Sequence, residues 1–95
     1  MLTPKNKALL KKLANPLKPQ LTLGKGETDP KVMEAIDHSL TAHELIKIRV
    51  LPNANTTLEE LANAICLATK ADLVDIIGRV LILYRPNPKN PRIVL

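Results

Sequence analysis

The sequence predicts an α/β fold: one compact domain in the order α-β-α-β-α-β-β, with three helices and a four-stranded mixed sheet. Three observations carry that expectation. Apolar and polar residues alternate in "QLTL" and in "HELIKIRVL", the period-two pattern of strands. Between and around these runs lie segments of helical spacing, opened by residues that cap helices. Near the C-terminal end, Gly78-Arg79 separates "DLVDII" from "VLILYR", as a tight two-residue hairpin link does.

The first helix opens with Thr3 as N-cap and Pro4 in its first turn, and runs to about Ala14, where Asn15-Pro16 stops it. Leu9, Leu10 and Leu13, with Ala14, form its apolar stripe, and lysines cover much of the remainder. Pro16 to Pro19 form a stiff connector. The first strand follows, with Leu21 and Leu23 turned inward. Asp29-Pro30 announces a second helix that buries Val32, Met33, Ile36 and Leu40. In the second strand Ile46, Ile48 and Val50 face one way, Lys47 and Arg49 the other. Thr57 with Glu60 three residues on is a capping box, and the third helix runs to about Lys70. The two β-α-β crossovers should be right-handed. Residues 86–95, with Pro86, Pro88 and Pro91, form a largely irregular tail, whose last four residues could dock.

Ninety-five residues suit a single domain spanning 1–95. Such a chain buries roughly 60–65% of its unfolded surface, enough for one core without staples. That core must be aliphatic, since the chain has no Phe or Trp and one Tyr. The sole cysteine, Cys66, excludes an internal disulfide and fits a reducing, cytoplasmic setting. No stretch is long enough to span a membrane, and charges interrupt residues 2–15 too often for a signal peptide.

Charge is segregated. Residues 1–26 carry six lysines and no acid, and residues 76–95 carry Arg79, Arg85, Lys89 and Arg92, again with no acid. All nine acids lie between, and the net charge is +5. Basic ends can serve solubility, but complete segregation favours a polyanionic partner.

Two of the three glycines flank Lys25 in Gly24-Lys25-Gly26. The spacing matches neither a P-loop nor a dinucleotide fingerprint. Glycines there allow backbone N–H groups to point outward before a helix, and a lysine beside a helix N-terminus suits a phosphate. A plain strand–helix turn would read the same. The sequence shows no nucleophile–base–orienter set, and no cofactor is implied. His38 and His43 are five apart on a helix and do not converge. Cys66 lies in an apolar helix, and Asp72 and Asp75, three apart in a strand, should fall on opposite faces. With Tyr84 as its single aromatic, read as core, the chain offers no stacking platform of the RRM or OB-fold type.

Three segments in this order, "LANPLKPQLTLGKGETD", "HELIKIRV" and "IIGRVLILYRP", resemble the YhbY-like CRM domain, named for chloroplast RNA splicing and ribosome maturation. The resemblance spans the chain from the first helix to Pro86. It implies the α-β-α-β-α-β-β fold of the family, akin to the C-terminal domain of translation initiation factor three. It also implies a non-enzymatic RNA-binding protein that engages ribosomal RNA in precursors of the large subunit. A monomer without a membrane partner is expected. The family's G-x-x-G contact loop falls on Gly24, Lys25 and Gly26, with Thr28 following, but its fourth position is Glu27 here. Lys7, Lys11, Lys12, Lys18, Arg79 and Arg85 are the flanking contacts the resemblance suggests. Two other readings fit the basic ends: an Alba-like binder of DNA or RNA, and a docking module for an acidic protein.

Overall fold

Two threonines begin helices by accepting a backbone N–H that the first turn leaves without a partner. In the computed structural model, which describes residues 2–24, 30–52, 57–89, 91 and 93, Thr3 Oγ1 accepts from Asn6 N–H at 3.1 Å. Helix α1 (Pro4–Ala14) follows, with Pro4 in its first turn. Thr57 Oγ1 accepts from Glu60 N–H at 3.1 Å and starts α3 (Leu58–Thr69). Helix α2 spans Pro30–His43. The strands are β1 (Leu21–Leu23), β2 (Leu45–Val50), β3 (Asp72–Ile77) and β4 (Val80–Tyr84). The order is α-β-α-β-α-β-β, and the four strands form one sheet.

The spatial order is β1-β2-β4-β3. β1 and β2 pair in parallel across α2, and β4 lies antiparallel to both β2 and β3. The crossover through α3 therefore skips a place, which the returning β4 fills. Gly78 makes that return possible. Its φ of 60° lies in the left-handed region, which an L side chain enters only with strain.

Helices lie on both faces of the sheet. On one, Ile36 and Leu40 of α2 and Leu61, Ala62 and Ile65 of α3 pack on Ile46, Ile48, Leu81 and Leu83. This layer is wholly aliphatic, and each fully buried Ile or Leu contributes about 1.5–3 kcal/mol. On the other face, Leu10 and Ala14 of α1 cover Leu45, Val74, Ile82 and Tyr84. Leu9 and Leu13 were expected in the buried stripe of α1, but 38% and 42% of their surfaces are exposed. The helix meets the sheet along the narrower Leu10–Ala14 line, a one-turn repeat. Tyr84 is buried, and burial first, then the charges of Glu44 and Asp72, push its phenol pKa up.

A bulge corrects one expectation. The register of β3 shifts between Leu73 and Asp75, so Asp72 pairs with Tyr84 and Asp75 with Ile82. Tyr84 and Ile82 point to the same face, and both aspartates therefore share it. One extra residue resets the alternation of a strand.

Candidate nucleic-acid interface

Helix α1 carries its charge outward because its only buried residues are Leu10 and Ala14. Lys5, Lys7, Lys11 and Lys12 are all exposed, with no acid in the helix. Lys11 Nζ lies 3.2 Å from Asp75 Oδ2, a pair that the β3 bulge permits. The Asp75 carboxyl is held below its usual range by the Ile76 N–H that it accepts, and further by Lys11 and Lys7. Lys5 and Lys12 have no ion-pair or hydrogen-bond partner among the described residues, and exposed Lys18 extends the cationic run onto the connector.

Gly24 follows directly on β1, and Pro30 opens α2. Lys25, Gly26 and Thr28, the remaining loop residues of the expected contact, lie outside the described residues, as does Glu27. Arg79 occupies the β3–β4 turn. It is exposed, yet its Nε donates to Val50 O at 2.9 Å and one terminal nitrogen to Leu51 O at 3.0 Å. These bonds close the end of β2, so Arg79 serves the fold while offering its outer edge to solvent.

Arg85 is engaged inside the domain. One terminal nitrogen donates to Asp37 Oδ1 at 2.5 Å and to Thr69 O at 2.8 Å. The other donates to Asp37 O at 3.0 Å and Thr41 Oγ1 at 2.8 Å. The guanidinium thus ties α2 to the last turn of α3, and only 20% of the side chain is exposed.

Two residues, Glu44 and Lys47, gain roles that their spacing did not disclose. Glu44 is fully buried with φ 63°. Its carboxylate accepts from Asn87 N–H at 2.7 Å and Ile93 N–H at 3.0 Å, which draws the tail back onto the domain. Lys47 Nζ donates to Leu17 O at 3.0 Å and pins the α1–β1 connector against the sheet. Arg49 shares that face of β2 but is exposed, with no ion-pair or hydrogen-bond partner among the described residues. An apolar alternation marks only the strand. A buried carboxylate between α2 and β2 leaves no pattern of its own.

Chemistry is sparse elsewhere. Among the described residues no group of three or more His, Cys, Asp or Glu could hold a metal ion. No helix among them is long and apolar enough to cross a membrane. Cys66 is half-buried, and burial followed by the nearby Asp72 charge pushes its thiol pKa up, away from the reactive thiolate.

The chain matches the family model of the CRS1 / YhbY (CRM) domain over residues 2–85. It belongs to the CRM family. "Probable RNA-binding protein YqeI" of Bacillus subtilis is 35% identical over 95 residues, which cover 100% of this chain and 99% of that protein. An "RNA-binding protein" of Haemophilus influenzae is 41% identical over 86 residues, or 90% and 87% of the two chains. The solution structure of SAV1595 from Staphylococcus aureus superposes with a TM-score of 0.82 at 37% identity, covering 100% and 99%. The CRM fold accounts for the order of elements, and these relatives carry names of binding proteins, not of enzymes.

Proposed function

We propose that this CRM domain binds RNA, and that its RNA is ribosomal, in cytoplasmic precursors of the large subunit. The observation that carries the reading is the acid-free, outward-facing lysine surface of α1 in a family whose relatives are named for RNA binding. Phosphates are the natural partners of such a surface, and the chain binds as a monomer. The backbone from Gly24 with Lys25, Gly26 and Thr28 holds one phosphate before α2. Lys7, Lys11, Lys12 and Lys18 extend the footprint, and Arg79 contributes its outer edge. Arg85 acts on the fold, since both its terminal nitrogens already donate within it. The ribosomal assignment rests on the resemblance of the loop and strand segments to stand-alone CRM proteins.

The test is the salt dependence of binding to large-subunit ribosomal RNA. Lys25→Ala should weaken binding and lower the slope of log affinity against log salt by about 0.7–0.9, one phosphate contact. An unchanged slope removes Lys25 from the site. Equal competition by duplex DNA would favour a general nucleic-acid binder instead.

A further inference from the structure

Helix α1 packs on Leu45, Val74, Ile82 and Tyr84 of its face of the sheet. Its contacts end near Ile82, and the next cross-strand row lies beyond it. Register places Thr22 beside Arg49, Arg49 beside Val80, and Val80 beside Ile77. Thr22 and Arg49 are exposed, Val80 is half-buried, and half of Ile77 is open to solvent. The row stands above a hollow of about 300 Å³ lined by Pro19, Lys47, Arg49, Ile77, Val80 and Ile82, among others. That volume is at the lower end of the roughly 300–1,000 Å³ typical of small-molecule sites.

The chemistry of the lining selects the occupant. Ile77, Val80 and Ile82 make an aliphatic floor, and Arg49 places a cation beside it, while the Lys47 ammonium is held by the Asn15 and Leu17 carbonyls. Among the described residues no carboxylate lines the hollow, and Asp75, across from Ile82, is paired with Lys11. An inorganic anion would leave the floor bare, and an apolar peptide would bury charge without a partner. A flat apolar ring joined to an anion satisfies both. Thr22 is two residues from Gly24, so the row and the start of the glycine turn share one end of the sheet.

We propose that this hollow receives one unpaired nucleotide of the bound RNA, its base on Val80 and Ile82 beside Ile77 and its phosphate on Arg49. The proposal rests on the RNA reading above and adds a preference for single-stranded RNA with bases. It gives a domain without exposed aromatic rings a way to hold a base, using aliphatic contact and a guanidinium in place of stacking.

The experiment compares a short single-stranded oligoribonucleotide with an abasic sugar–phosphate chain of equal length, by fluorescence anisotropy. The base-bearing chain should bind about fivefold more tightly, as burial of a small apolar area allows. Ile77→Ser should bring that ratio close to one and leave abasic binding unchanged. Arg49→Ala should weaken both. As a measurement free of substitutions, the backbone amides of Ile77 and Val80 should shift in NMR spectra with the base-bearing chain only, and that of Arg49 with both chains. Equal binding of the two chains by the unsubstituted protein, or a ratio unaltered by Ile77→Ser, overturns the nucleotide site and leaves RNA binding standing. Failure to bind either chain overturns the RNA reading and this inference with it.

Discussion

Arg85 and Asp75 show how the same charged residue types serve different ends in one small domain. Arg85 was legible as a base near the C-terminal strand, but nothing in its spacing revealed that Asp37, Thr41 and the Thr69 carbonyl converge on it. Those partners lie 16 to 48 residues away in sequence, and only the folded sheet brings them together. Arg85→Ala should cost about 2–3 kcal/mol in urea unfolding, because the carbonyls of Thr69 and Asp37 lose their donor. A loss of RNA affinity at unchanged stability would instead make Arg85 a ligand of the RNA. Asp75 is more exposed, and its pair with Lys11 is worth less than about 1 kcal/mol. Its carboxyl has a lowered pKa in the folded state. The stability it contributes is therefore present above the unfolded-state value of about 3.9 and lost as pH falls through the folded-state value. Asp75→Asn should unfold slightly more readily at pH 7 and match the parent protein near pH 2, as denaturation midpoints across that range would show.

At the scale of elements, the helix starts were legible because a cap is a local device: Thr3 and Thr57 each hydrogen-bond a residue three positions on. Strand β2 was legible from its alternation, and the hairpin from Gly78. The β3 bulge and the burial of Glu44 were not, because each depends on a partner strand or a returning tail. The exposure of Leu9 and Leu13 likewise follows from how α1 crosses the sheet, which its own periodicity does not contain. The end of α3 offers a direct check on backbone geometry. Lys70 caps it with φ 62°, a conformation glycine adopts without penalty. Lys70→Gly should stabilise the domain by about 0.5–1 kcal/mol, seen as a higher thermal midpoint. A lower midpoint would mean that the lysine side chain has a compensating role.

For the whole molecule, the charge segregation seen in the sequence becomes a two-sided arrangement of the helices, with Asp72 and Asp75 of β3 on the α1 face. The acids of α2 and the start of α3 belong to one helical layer, while α1 presents its lysines from the opposite face of the sheet. The hollow beside Arg49 lies on that same cationic face, where α1 stops short. Of the expected contact set, Lys7, Lys11, Lys12 and Lys18 reach solvent, Arg79 does so in part, and Arg85 turns inward. This arrangement suits a domain that grips a folded RNA through its phosphates from one side. The most direct test of that account is sedimentation of the tagged protein through a density gradient of cell lysate, with and without ribonuclease. The expected result is co-migration with large-subunit precursors that disappears on nuclease treatment. Migration at the top of the gradient in both samples, at low salt, would contradict it.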